Sequence, residues 1–144
     1  MRKLSVLIAA MAALVSQPVF AEIGRIKNVT SGVQVIRDGR TITARSGLRL
    51  EEGDIIVTAR RARVGITLSD DTRMALGPNS RVTLDEYQYD RRRQTGRSVT
   101  SVNRGSLGVT SGNITRSGRD RMRVRTPTST LGVRGTTFVV EVSG

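Results

Sequence analysis

Val33-Gln34-Val35-Ile36-Arg37-Asp38-Gly39-Arg40-Thr41-Ile42-Thr43-Ala44 is the stretch that decides the class of fold. Two runs rich in β-branched residues flank an Asp-Gly pair. That arrangement is the strongest short-range hairpin signal, because both central residues of the tight turn need positive φ. Outward from it the same grammar repeats. Gly53-Asp54 turns the chain into Ile55-Ile56-Val57, and Val64, Ile66 and Leu68 then alternate with Arg63, Gly65 and Thr67. Asp70-Asp71 breaks that run, Met74 and Leu76 resume it, and Gly77-Pro78-Asn79-Ser80 turns it again. Val82 and Leu84 alternate with polar neighbours, as expected of strands buried on one side.

Further runs follow at Val99–Val102, Leu107–Val109, Met122–Thr126 and Thr136–Val142, and Asp90–Arg97 reads as a polar hairpin tip. Short strands every 8 to 12 residues with turn residues between them predict an all-β domain of short antiparallel strands. A rolled sheet, a sandwich or a short irregular β-solenoid all satisfy the pattern. Aromatic residues make up only 3% of the chain, so the core must come from Val, Ile and Leu. The expected core is Val35, Ile42, Ile56, Ile66, Leu68, Leu76, Leu84, Leu107, Val124, Phe138 and Val140.

The amino-terminal residues read as an export signal. Arg2 and Lys3 precede the apolar Leu4–Val15, and Val19-Phe20-Ala21 offers a cleavage site between Ala21 and Glu22. A membrane anchor is the competing reading, but a span needs about 20 apolar residues. The expected organisation is a signal peptide over 1–21 and one β domain over 22–144. With no cysteine anywhere, disulfides are excluded and burial and hydrogen bonding alone must hold an exported fold.

Charge narrows the partner. The chain carries +12, and subtracting Arg2 and Lys3 leaves +10. Beyond the leader every basic residue except Lys27 is arginine, whose planar fork suits carboxylates and phosphates. Such a surface draws anionic partners: lipid head groups, anionic glycans or acidic protein faces. Nucleic acid is disfavoured by the export signal. The absence of histidine and cysteine removes the commonest general base, the thiolate nucleophile and the usual transition-metal ligands. The only dense acidic groups, Glu51-Glu52-Gly53-Asp54 and Asp70-Asp71, fall at turns and read as turn formers rather than a hydrolytic pair. No cofactor, metal site or catalytic residue is expected.

Arg119, Arg121, Arg123 and Arg125 occupy every second position, with Met122 and Val124 between them. On a strand they would form one outward row while Met122 and Val124 point inward. This row is the candidate partner-binding face; a merely solvated face is the alternative. Should it fail, the turns around Asp54 and Asp70 are the next surface to consider. Arg134, between Val133 and Gly135, is expected to hold the fold through nearby carbonyls or a carboxylate.

Several of these segments together resemble the FecR domain family. They are Leu50-Glu51-Glu52-Gly53-Asp54-Ile55, Leu68-Ser69-Asp70-Asp71-Thr72, Leu76-Gly77-Pro78-Asn79-Ser80, Arg104-Gly105-Ser106-Leu107, Val124-Arg125-Thr126-Pro127 and Val133-Arg134-Gly135-Thr136. The resemblance runs from about Ile26 to Val142. Asp71 departs from it, standing where the family usually has glycine. The resemblance implies a mostly β bacterial envelope module that relays signals by protein contact and is not a catalyst. It implies structural duty for Gly53, Asp54, Pro127, Val133, Arg134, Gly135 and Thr136. With a leader directly before the domain, it further implies a stand-alone member lacking the anti-sigma region and membrane helix of the best-known relatives. The expected partner is another envelope protein or an anionic envelope polymer, with no stable membrane span after cleavage. A structural scaffold of the envelope and, remotely, a carboxylate-dependent hydrolase are the alternative functions.

Overall fold

The computed structural model describes residues 20–118, 120–135 and 137–143. Among them the chain forms β1 (Glu22–Val29), β2 (Val33–Arg37), β3 (Arg40–Thr43), β4 (Arg49–Glu51), β5 (Ile55–Thr58), β6 (Val64–Leu68) and β7 (Arg73–Leu76). There follow β8 (Arg81–Asp90), β9 (Thr95–Thr110), a 3-10 turn (Asn113–Ser117), β10 (Met122–Arg125), β11 (Thr130–Val133) and β12 (Thr137–Val142). The Asp38-Gly39 turn forms as its chemistry requires. Asp38 has φ 49° and Gly39 φ 74°, and Arg37 pairs with Arg40 across it.

β9 is the spine. Its first part lies between β8 and β10, and its last part between β7 and β12. One half of the rolled sheet therefore runs β3-β2-β5-β8-β9-β10-β11, and the other runs β4-β1-β6-β7-β9-β12. The register lines up the apolar residues in rows across each half. Ile26, Ile66, Met74, Val109 and Phe138 form one row. Val35, Ile56, Val82 and Val102 form a row in the other half. All of these join one core.

Of the expected core, Val35, Ile56, Ile66, Leu68, Leu76, Leu84, Leu107, Val124 and Val140 are buried. Ile42 and Phe138 are only half-buried. Both sit on edge strands, β3 and β12, which have a neighbour on one side only.

Two expectations about the strands need correction. Val99–Val102 and Leu107–Val109 belong to one sixteen-residue strand rather than two short ones. The β9–β10 pair is parallel, because the chain returns through the 3-10 turn before β10 is laid down. β9 stays continuous by bending at Gly105, whose φ is 84°. The bend is packed as well as strained: a Cβ on Gly105 would lie 2.2 Å from Ser80 Oγ and 2.5 Å from its Cα. Ser80 Oγ accepts from Ser106 N at 3.0 Å, Thr58 Oγ1 accepts from Ser80 N at 2.9 Å, and Thr58 Oγ1 donates to the Gly77 carbonyl at 2.6 Å. The Gly77–Ser80 and Arg104–Leu107 segments are thus the two sides of one corner.

Candidate interaction face

Acidic side chains hold the other corners. Asp54 is fully buried, and Arg37 of β2 grips it with two bonds, Nε to Oδ1 at 2.8 Å and Nη2 to Oδ2 at 2.7 Å. Glu51 N donates to the same Oδ2 at 2.9 Å, while Arg37 also reaches the Arg49 carbonyl and the Glu51 carboxylate. The Asp54 carboxylate raises the pKa of Arg37 further, chiefly through this hydrogen bonding, so the guanidinium stays charged. Beside it Gly53, at φ 87°, donates its N–H to the Leu84 carbonyl at 2.7 Å.

Asp70 is also fully buried and accepts four bonds. Tyr87 Oη (2.9 Å) and Thr72 N (3.3 Å) donate to Oδ1, and Thr72 Oγ1 (2.8 Å) and Ile114 N (3.1 Å) donate to Oδ2. This one carboxylate ties the β6–β7 turn to β8 and to the 3-10 turn. Burial, then the Asp70 charge, push the Tyr87 phenol well above its ordinary range. Asp71, in the place where the resemblance expects glycine, has φ 69° and so adopts the left-handed geometry that glycine would. The turns around Asp54 and Asp70 are therefore interior joints. Asp54 and Asp70 themselves are closed to a partner or substrate, and the carboxylates that these turns leave exposed are Glu52 and Asp71.

The arginines lie on the outside. In β10, Met122 and Val124 are buried, Arg121 and Arg125 are exposed and Arg123 is half-buried, so the expected alternation holds over the described part of the row. Arg119 and Thr136 lie outside the described residues.

What could not be read from the chain is that the row extends sideways. In β9, Ser98, Thr100 and Val102 stand beside core residues of β8, so Arg97, Val99 and Ser101 point outward. Arg123 stands beside Val99 and Arg125 beside Ser101, while Ser98 N donates to the Arg121 carbonyl at 2.8 Å. Arg81 and Arg104 face each other directly across β8 and β9. Arg81, Arg97, Arg104, Arg121, Arg123 and Arg125 thus share one face of the sheet.

Acids on that face are few and already engaged. Glu86 lies 3.4 Å from Arg97, and Asp85 Oδ2 accepts from Ser101 Oγ at 2.6 Å. The other five arginines make no ion pair with a described residue. Val99, between Arg123 and Glu86, is fully buried although it points outward. The Arg91–Arg93 tip is exposed and separate, its turn closed by Asp90 Oδ1 accepting from Arg92 N and Arg93 N.

The closing segment departs from its expectation at Arg134. Val133 is buried opposite Met122, and Pro127 sits exposed in the β10–β11 turn. Gly135 has φ 58°, with open space where a Cβ would stand, so its requirement for glycine is conformational rather than steric. Arg134, expected to hold the fold, is instead exposed, with no bond to a described residue. It follows the end of β11, where no strand among the described residues covers it.

A scan of protein families matches the FecR protein family over residues 54–144, more than half of the chain. The chain belongs to the FecR family. No curated protein and no solved structure matches it. The family match begins at Asp54, inside the Arg37 clamp, although β1–β4 precede it and complete both halves of the rolled sheet. FecR domains are regulatory, signalling modules associated with the bacterial envelope. The quoted FecR segments of this chain coincide with its corners: Gly53-Asp54, Asp70–Thr72, Gly77–Ser80 and Gly105-Ser106. No helix among the described residues is long and apolar enough to cross a membrane.

Proposed function

We propose that this FecR domain is an exported, non-catalytic signal-relay module of the envelope, and that it works by docking its arginine face on an anionic partner. The observation that carries the reading is six arginines on one sheet face, five of them without an ion-pair partner among the described residues. Structural arginines are normally satisfied; here the buried acids are committed to turns and the exposed cations are left free for an outside ligand. Two further features support it. β1 begins at Glu22, the residue that cleavage after Ala21 would leave first. Both dense acidic groups centre on buried carboxylates saturated with donors, which suits joints rather than hydrolysis.

Mass spectrometry of the protein from its producing cells is expected to find Glu22 at the amino terminus; a chain retaining Met1 overturns export. On an immobilised polyanion the protein is expected to release as salt rises, with Arg121→Gln/Arg123→Gln releasing earlier. Identical release of wild type and variant overturns the docking face.

A further inference from the structure

We infer that the surface taken by the arginine face is a plane of anionic phospholipid head groups, reached by adsorption rather than insertion. This rests on the docking-face reading above and names its partner. Three observations favour a lipid plane over a protein or a single polymer strand.

The first is the dimensionality of the array. Alternate residues on a strand lie ~6.7 Å apart and neighbouring strands ~4.8 Å apart, so arginines on β8, β9 and β10 cover an area rather than a line. A linear polyanion would engage one row and leave the others idle. A plane of phosphates meets all of them at once, each by a planar fork.

The second is the lack of an anchor. Protein interfaces concentrate their affinity in a few aromatic and arginine side chains packed together in a desolvated centre, and here the arginines have no exposed aromatic beside them among the described residues. The large hydrophobic residues exposed among the described residues are Phe20, Leu131 and Val139. Val139 belongs to the other half of the sheet, and Leu131 stands beside the inward-pointing Val124. On the arginine face itself the central apolar residue, Val99, is completely covered.

The third is what borders the array. Ile55 stands beside Thr83 and Val57 beside Arg81, with Ile36 next to Ile55. All three aliphatics are half-buried on this same face. Together they make a low apolar shoulder, suited to resting against head groups and too shallow to enter the hydrocarbon.

The test is co-sedimentation of the protein, as its producing cells process it, with vesicles of phosphatidylglycerol and phosphatidylcholine in about a 3:7 ratio, against pure phosphatidylcholine. Binding is expected to the anionic vesicles alone, and to be lost as salt rises from ~0.05 to ~0.5 M. Each arginine near such a surface contributes roughly fivefold to partitioning, so Arg121→Gln/Arg123→Gln is expected to weaken binding by about tenfold or more. Arg60→Gln/Arg61→Gln removes the same charge from the exposed β5–β6 turn and is expected to bind nearly as wild type. Equal loss in both variants would show that net charge alone is responsible and would overturn the inference, as would absence of binding to the anionic vesicles. In that second case, arginine-dependent retention on an immobilised acidic polypeptide would keep the docking face and assign it to a protein partner; no such retention would remove both readings.

Discussion

Asp70 and Arg123 show how this chain divides its charges. Asp70 is fully buried with four donors on its two oxygens, joining three segments far apart in sequence. Arg123 points to the opposite side of the sheet from the core, and its guanidinium bonds to no described residue. With 12 acids against 24 basic residues, engaging Asp54 and Asp70 in corners leaves the outer face predominantly positive, with Asp85 and Glu86 as its acids. On the proposed docking face, folding and recognition rest on different residues and should be separable by mutation.

The largest effects belong to the buried joints. Asp70→Ala strands Tyr87 Oη, Thr72 Oγ1 and the Ile114 N–H, and is expected to destabilise by about 3–5 kcal/mol in denaturant titration. Losing Asp54 from the Arg37 grip by Asp54→Ala should be of similar rank, because Arg37 is itself three-quarters covered. A loss under about 1 kcal/mol at either site would mean that water replaces the carboxylate and that the corners are not the source of stability.

The same joint predicts a pH dependence. The phenol of Tyr87 is raised in the folded protein, so near pH ~10 the unfolded chain gives up this proton while the folded one keeps it. Stability is therefore full below ~10 and falls as pH rises above it. Tyr87→Phe, monitored by thermal melts across that range, should flatten the decline even though it weakens the fold at neutral pH.

Glycine substitutions sharpen the contrast at intermediate size. Gly105 and Gly135 both have positive φ, but only Gly105 is pressed against backbone. Gly105→Ala should cost roughly 3 kcal/mol or more and Gly135→Ala about 1 kcal/mol, the strain alone. Gly135→Val adds β-branching to that strain and should lower the melting temperature; an unchanged melt with altered partner binding would make Gly135 a contact residue. Among core truncations, Ile66→Ala should cost about 2–5 kcal/mol and Phe138→Ala less, since β12 is an edge.

Local features of this fold were legible in the chain. The Asp38-Gly39 hairpin, the outward alternation of Arg121, Arg123 and Arg125, and the alternating core of β6 and β7 each depend on neighbours a few residues away. The rest depends on register. Nothing in the chain announces that β10 pairs in parallel with β9, so nothing tells that Arg97 stands near Arg121 or that Arg81 opposes Arg104. Arg134 is a case of the same kind: its setting between Val133 and Gly135 suggests a tight backbone with carbonyls or a carboxylate in reach, but its side chain meets no such partner among the described residues. β1 and β4 are not legible because their burial comes from partners distant in sequence, and β11 because three of its four residues are exposed and give no alternating pattern.

The smallest expected effect is the most telling. If acids hold the fold and arginines hold the partner, Arg121→Gln/Arg123→Gln/Arg125→Gln should unfold within about 0.5 kcal/mol of the wild type, or slightly later as mutual repulsion is relieved. A denaturant titration of this triple variant measures it directly. An unchanged or raised midpoint with the same slope is the predicted result; a loss of more than about 1 kcal/mol would show that the row braces the sheet and would contradict the division of labour.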